Sequence, residues 1–306
     1  MGDTLRVFAP ATVANVACGF DIFGFALEVP GDEIILRQKG DSVRVTTVTG
    51  DEGKLTLDSE KNVAAVSVQH LLNYLGEDRG FEIEVHKKMP LSSGLGSSAA
   101  SSVGAVFGAN LLLNEPLEVK ELIPFAMEAE RVACGSAHAD NVAPALLGGF
   151  VLIRSYHPLE VVEVPVNLPL YCTILHPHVE ILTKKARDIL PKNVPLQDLV
   201  TQTGNASALI AALIQGDASL LEHALHDAII EKVRGPLIPG FDKIKQAAIE
   251  AGALGCSISG SGPSIFALTL SENKAKQVGE AMQLACPEKS TLFVSKLNTE
   301  GPRVLT

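Results

Sequence analysis

The chain has 306 residues, 46% hydrophobic and 20% charged, which is enough to bury the core of one large or two ordinary domains. A formal charge of −10, with no block of Lys and Arg interleaved with aromatics, excludes a nucleic-acid surface as its main business, since that needs basic stripes. Five cysteines (Cys18, Cys134, Cys172, Cys256 and Cys286), odd in number and never spaced C-x-x-C, read as free thiols rather than a disulfide frame or zinc site. No apolar run reaches membrane-spanning length, and the opening residues lack the basic and apolar regions of a signal peptide. A soluble, cytoplasmic protein is expected.

Strand patterns come first along the chain. "LRVFAP" and "DEIILRQ" are apolar runs bounded by turn residues, and "PGD" at Pro30 to Asp32 is a turn signal. "SVRVTTVTG" and "FEIEVHKKMP" alternate, with Phe81, Ile83 and Val85 on one face and Glu82, Glu84 and His86 on the other. Residues 62–75 change to a helical period. A strand ending at Pro90 leads into "PLSSGLGSSAASS", which has neither acid nor base, and a buried helix is predicted over 97–113. Ala99, Val103, Phe107 and Leu111 fall at fourfold spacing on one side of it. Ala100, Gly104 and Gly108 form a second row, small enough for another backbone to pack closely.

"EPLEVKELIPFAMEAERVA" predicts a helix interrupted near Pro124, and "GGFVLIRSY" a strand. The proline-containing span "SYHPLEVVEVPVNLP" is the expected boundary between domains 1–157 and 158–306. Beyond it come a strand ("LYCTILHP"), a helix ("TKKARDIL") and two helices between residues 198 and 233. A further helix ("FDKIKQAAIEAG") precedes a strand–turn–strand unit, "ALGCSISGSGPSIFALTL". Elements that are mixed without strict alternation predict an α+β fold rather than a doubly wound sheet.

The small-residue loop has three readings. It can be a plain structural loop. Gly94, Gly96 and Ala99 match the dinucleotide pattern G-x-G-x-x-A, but no second strand ending in an acid follows about 20 residues on. A phosphate-binding P-loop would need Lys-Ser/Thr after its last glycine, and this one lacks it. What survives is the physics these loops share. Backbone N–H groups and the start of a helix suit phosphate, and the hydroxyls of Ser97 and Ser98 can donate to phosphate or ligate Mg²⁺.

"PLSSGLGSSAA" resembles the nucleotide loop of the GHMP small-molecule kinases, "APATVANVACGFDIFGFAL" their N-terminal substrate motif and "GCSISGSGPSIFAL" their C-terminal glycine loop. Within that superfamily, "GFDIFGFAL", "HADNVAPALLGGF", "TKKAR" and "VRGPLIPGF" resemble the homoserine kinase branch. The resemblance runs nearly end to end. It implies a two-domain fold, with a ribosomal S5-like N-terminal domain carrying ATP and a ferredoxin-like C-terminal domain closing over it. The implied activity is ATP-dependent phosphorylation of the side-chain hydroxyl of L-homoserine. Alternatives are another small alcohol such as mevalonate, or a non-catalytic nucleotide or metabolite sensor. A homodimer is what the resemblance suggests.

The resemblance also implies roles for residues. The loop around the triphosphate comprises Pro90, Leu91, Ser92, Ser93, Gly94, Leu95, Gly96, Ser97, Ser98, Ala99 and Ala100. Asn62 matches the residue that addresses adenine, and reads equally as a helix N-cap. Lys87 or Lys88 is placed to reach a phosphate, or to end a strand in solvent. Phosphoryl transfer from ATP needs Mg²⁺, and the implied ligands are Ser98 and Glu130. By the residues alone Glu130, beside Arg131 on a predicted helix, reads as a surface carboxylate. On the acceptor side Asp21 is implied to hold the ammonium, and Arg187 and Arg234 the carboxylate, with Asn15, His138 and Asn141 around them. In "HADN", either Asp140 is a general base, or Asn141 faces the hydroxyl and catalysis rests on positioning. The turn from Gly260 to Pro263 reads as a plain hairpin turn or as the far wall of the cleft.

Overall fold

In the computed structural model the described residues are 4–135 and 138–306, and the side chains of Ala133 and Cys134 lie outside the description. Strand β1 (Thr4–Ala14) pairs antiparallel with the long β2 (Phe23–Gln38). The turn expected at "PGD" does not form. Gly31 pairs with Pro10 and Asp32 with Ala9, and the register slips between Pro10 and Thr12. A Cβ at Gly31 would collide with the Phe8 ring, so the glycine marks a close approach of side chain to strand, not a reversal.

Strand β3 (Val43–Thr49), helix α1 (Val63–Leu75) and strand β4 (Phe81–His86) follow. β3 and β4 are parallel, a pairing that needs a crossover, and α1 supplies it. β4 also pairs antiparallel with β2 and buries Phe81, Ile83 and Val85, as the alternation predicts. Helix α2 (Ser97–Leu112) lies across β1 and β2 on its row of small residues. A Cβ at Gly104 would stand 2.7 Å from Ile34 Cγ1, and one at Gly108 2.5 Å from Leu36 Cδ1. A 3₁₀ turn over Val119–Leu122 runs into α3 (Ile123–Cys134), where Pro124 sits in the first turn. There its missing N–H costs nothing, so it starts the helix and does not interrupt it.

Helix α4 (Ala139–Leu147) precedes β5 (Phe150–Tyr156) and β6 (Leu159–Val164), an antiparallel hairpin attached to β2. The expected divide at 157/158 therefore falls inside a hairpin of the first sheet. The second sheet begins only at β7 (Tyr171–Pro177). Next come α5 (Thr183–Asp188), α6 (Leu196–Gln215), α7 (Ala218–Ala224), α8 (Glu231–Arg234) and α9 (Phe241–Glu250), so residues 198–233 hold parts of three helices rather than two. Strands β8 (Gly255–Ile258) and β9 (Ile265–Thr269), helix α10 (Glu272–Ala285) and strand β10 (Ser290–Lys296) complete an antiparallel sheet of order β10-β7-β9-β8. This is the ferredoxin-like arrangement that the resemblance implies. A last short strand, β11 (Arg303–Val304), returns to pair with β1, so the C-terminus belongs to the first sheet.

Three apolar clusters hold these layers. One lies between the first sheet and α1 to α4, and another between the second sheet and α9 and α10. The third joins the halves. Phe25 stacks on Phe150 with ring centroids 6.1 Å apart and meets Phe266 of β9 edge-on at 6.2 Å, with Leu209 and Leu213 of α6 in the same cluster. Among the described residues, no helix is long and apolar enough to cross a membrane.

Because Phe266 is fully buried in this seam, Phe266→Ala is expected to destabilise the protein by about 3–5 kcal/mol. Urea unfolding should move as one transition. Two separated transitions would mean that the sheets unfold independently.

Candidate active site

The loop between β4 and α2 takes its shape from residues in left-handed backbone, Ser92 (φ 51°), Gly94 (φ 79°) and Gly96 (φ 65°). A Cβ at Gly94 would strike the carbonyl oxygen of Ser259, and one at Gly96 the Thr12 hydroxyl, so neither position admits a side chain. Gly96 occupies the N-cap of α2 and no side chain caps the helix. Its first-turn N–H groups and the positive end of its dipole are left for a ligand. Ser93 Oγ and Ser97 Oγ are buried with no hydrogen-bond partner, as expected of hydroxyls awaiting one.

Opposite lies the turn between β8 and β9. Ser259 Oγ donates to Gly94 O at 2.7 Å, and Ser264 N donates to Ser93 O at 3.1 Å. This turn braces the loop, which an ordinary hairpin turn would not do.

Glu130, on α3, is only 8% exposed, so its surface reading gives way. Ser98 Oγ donates to its Oε2 at 2.9 Å, while Oε1 has no partner. Burial pushes its carboxyl up to about 7, against the opposing Ser98 hydrogen bond and the charge of Lys87. Among the described residues no cluster of three or more His, Cys, Asp or Glu could cage a metal. Two hard oxygen groups, one atom of them orphaned, nevertheless fit Mg²⁺, which usually takes one or two protein ligands plus phosphates and water.

Two nucleotide-side expectations need revision or narrowing. Lys87 does not reach into the loop: its ammonium lies with the Asp32 carboxylate and donates to Ser97 O at 2.6 Å and Ser101 Oγ at 2.9 Å. Three partners occupy its three donors, so it supports the loop from below. Lys88 instead pairs with Glu33. Asn62 is the N-cap of α1, with Oδ1 accepting from Ala64 N at 3.0 Å and Nδ2 donating to Thr56 O at 2.8 Å.

The acceptor side is built on the link between β1 and β2. Asn15 (φ 70°), Val16 (φ 40°), Ala17 (φ 57°) and Asp21 (φ 60°) are all left-handed, a costly backbone held by specific bonds. Asn15 Oδ1 accepts from Asp21 N at 2.9 Å, and Asn15 Nδ2 donates to Gly260 O at 2.7 Å. Tyr156 Oη donates to Asp21 O at 2.9 Å and accepts from Ala139 N at 3.4 Å, tying this link to the start of α4.

Asp21 receives Arg187 Nη2 on both carboxylate oxygens, at 2.8 and 3.0 Å, and His138 Nδ1 stands 3.9 Å away. Burial and the Arg187 charge hold His138 below the usual imidazole range. Arg234 is buried on Ala186 O and Gly260 O, both at 3.1 Å. The two guanidinium carbons lie 5.5 and 5.1 Å from the centre of the Phe20 ring. Burial, then the neighbouring Arg187, lowers the Arg234 pKa, and Arg187 Nε is buried with no partner. Two cations this close, one with an idle donor, make a site for an anion.

"HADN" divides between the two halves of the cleft. Asn141 Oδ1 accepts from Thr12 Oγ1 at 2.7 Å and lies against Gly96, on the loop side. Asp140 is 3% exposed, with Oδ1 unpartnered, and burial and then Asp21 push it up to about 7 while Arg187 opposes them. Thr12, Phe20, Asp32 and Tyr156 are site residues that the sequence reading did not single out. Their partners lie far along the chain: Asn141 is 129 positions from Thr12, Lys87 55 from Asp32, and Asp21 135 from Tyr156. No spacing could show them.

Residues 62–149 match the GHMP kinases N terminal domain, and residues 209–288 the GHMP kinases C terminal family. The chain is 50% identical to a homoserine kinase of Chlorobium phaeobacteroides, covering 99% of each protein. It is 47% identical to one of Chlorobaculum tepidum, over 99% of this chain and 98% of that protein. A solved homoserine kinase from Cytophaga hutchinsonii superposes with a TM-score of 0.97 at 56% identity, covering 100% of this chain and 98% of that one. Methanococcus jannaschii mevalonate kinase, at 16% identity and a TM-score of 0.71 over 100% and 99% of the chains, shares the fold alone.

A carboxyl whose pKa rises on folding contributes stability below its unfolded value, near 3.8 for Asp140, and loses that contribution as pH climbs through about 7. Asp140→Asn should therefore raise Tm relative to wild type at pH 8, and by much less at pH 5. An equal difference at both pH values would mean that no buried charge develops there.

Proposed function

The chain belongs to the homoserine kinases of the GHMP kinase family, and we propose how its residues share the transfer of the ATP γ-phosphoryl group to the side-chain hydroxyl of L-homoserine. That reaction makes O-phospho-L-homoserine, a step of threonine biosynthesis. The observation that carries the assignment of the acceptor site is the trio Asp21, Arg187 and Arg234 around Phe20. An amino acid presents one cation and one anion, and this trio offers one carboxylate and two guanidiniums. The ammonium takes Asp21 and the carboxylate takes the arginines, so the substrate replaces the resident Asp21–Arg187 pair with matched pairs of its own. Mevalonate, which has no ammonium, would leave Asp21 without its new partner.

On the nucleotide side, the loop from Pro90 to Ala100 cradles the triphosphate with backbone N–H groups and the orphaned hydroxyls of Ser93 and Ser97. Asn62 addresses the adenine while it caps α1. Glu130 and Ser98 hold Mg²⁺, which when bound supplies charge neutralisation and orientation at the β- and γ-phosphates. Asn141, beside the loop, orients the homoserine hydroxyl towards the γ-phosphorus, and His138 lines the acceptor side. Asp140 keeps to the side of Asp21 and Arg187. With a loose transition state the hydroxyl proton need not leave early, so positioning and charge stabilisation carry the rate.

Two measurements test these roles. Glu130→Gln is expected to lower kcat by orders of magnitude and to raise the Mg²⁺ concentration for half activity; an unchanged Mg²⁺ titration would remove Glu130 from the metal. Charge-assisted hydrogen bonds contribute roughly 1.5–3 kcal/mol, and about 1.4 kcal/mol is tenfold. Arg234→Leu should thus cut kcat/KM for homoserine by roughly one to two orders of magnitude, with ATP affinity nearly unmoved. Arg187→Leu should cut it somewhat less, because its loss also frees Asp21 for the ammonium. The comparison substrate is 3-amino-1-propanol, which has the ammonium and hydroxyl without the carboxylate. Its slow turnover should hardly respond to Arg234→Leu, and should not fall with Arg187→Leu, which frees Asp21 for the ammonium that this substrate keeps. Equal losses on both substrates would mean that the arginines do not grip the carboxylate.

A further inference from the structure

Both ends of the phosphate loop are fastened to one buried ion pair. Asp32 is fully buried in β2, and Lys87, just past the end of β4, has a side chain 1% exposed. Asp32 Oδ1 accepts from Lys88 N at 2.7 Å and from Met89 N at 3.1 Å, the residues leading into Pro90. Lys87 Nζ donates to Ser97 O at 2.6 Å and to Ser101 Oγ at 2.9 Å, and Ser101 Oγ donates in turn to Ser97 O at 3.3 Å. The acid therefore holds the chain where the loop begins, and the base holds the first turn of α2, where it ends.

Charges wholly out of water seldom stabilise a fold more than hydrocarbon of the same volume would. What such a pair contributes is direction. Each of its hydrogen bonds fixes a backbone atom in a way that packing alone does not, and the segment between them contains three left-handed residues, Ser92, Gly94 and Gly96. A loop held at one end only would have to be ordered by the nucleotide itself, at a cost in affinity.

We propose that Asp32 and Lys87 are positioning residues for ATP, a buried splint that sets the spacing between the two ends of the phosphate loop without touching the nucleotide. This rests on the loop's assignment as the ATP cradle, and the test separates the two. Gly96→Ala, which places a Cβ against Thr12 and Asn141, serves as the reference: it should abolish ATP binding if residues 90–100 are the cradle, whatever the splint does.

The splint is tested with Asp32→Asn, Lys87→Arg and the double variant Asp32→Asn/Lys87→Met. KM is measured for ATP and for homoserine, with ATP Kd by calorimetry and Tm. Asp32→Asn strands a buried ammonium and should lower Tm. The double variant has no buried charge left and keeps an oxygen for Lys88 N and Met89 N, so its Tm should recover. Its ATP KM and Kd should nevertheless stay raised by about tenfold or more, since small misplacements in a site are costly, while KM for homoserine stays within about twofold. Lys87→Arg should fall between wild type and the double variant. ATP affinity that returns to wild type together with Tm overturns the proposal and leaves a purely structural pair. So does a homoserine KM that rises by the same factor as that for ATP. If Asp32→Asn alone does not fold, the double variant and Lys87→Arg decide between the same outcomes.

Discussion

At the turn between β8 and β9, the carbonyl oxygen of Gly260 accepts from Asn15 Nδ2 at 2.7 Å and from Arg234 Nη1 at 3.1 Å, while Gly260 N donates to Ala14 O at 3.1 Å. One residue earlier, Ser259 Oγ holds Gly94 O. A single tight turn thus touches the β1–β2 link, Arg234 and the glycine loop before α2, which come from both halves of the molecule. Backbone atoms meet here with no room for side chains, as the collision of a Cβ at Gly94 with Ser259 O makes plain. The relative placement of donor and acceptor sites depends on this crossing and on the Phe25, Phe150 and Phe266 cluster behind it. Phosphoryl transfer is sensitive to such placement, because most of its catalysis is alignment and charge stabilisation.

The electrostatics of the cleft run against the stability of the fold. Burial raises the carboxyls of Glu130 and Asp140 to about 7, and Arg234 is held below its usual range beside another guanidinium. Each arrangement costs free energy that a nearby opposite charge relieves. Groups so perturbed within one cleft are the physical mark of a binding and catalytic site. Although the chain carries a formal charge of −10, Arg187 and Arg234 meet at Phe20 in partly desolvated surroundings, where charges are screened least.

Local patterns carried some features well and others poorly. The alternation in β4, the small-residue row of α2 and the glycine loop follow from residue sizes and periods within one segment, and the fold keeps all three. "PGD" failed as a turn because its signal is local, while the outcome was decided by pairing with β1 across the sheet. The break at residues 157 and 158 failed for a similar reason. Proline marks a chain reversal there, but whether a hairpin ends a domain depends on the sheet it joins. Glu130 looked like a surface residue beside Arg131, and only the packing of α3 on α2 turned it inward.

By itself the sequence determined the chemistry available: a glycine-rich loop opening a helix, hydroxyls at its start, and scattered acids and arginines whose motifs identify the kinase family. Those properties are set by residue type and by spacings of a few positions. Tertiary structure decided which charges face one another. Lys87 went to Asp32 rather than to a phosphate, Asn141 to Thr12 and the loop, Asp140 to the neighbourhood of Asp21, and Arg187 to Asp21 from 166 residues away. Hydrogen bonds act over about 3 Å and screened Coulomb forces over roughly 10 Å through space, and distance along the chain says nothing about either until the sheets have closed.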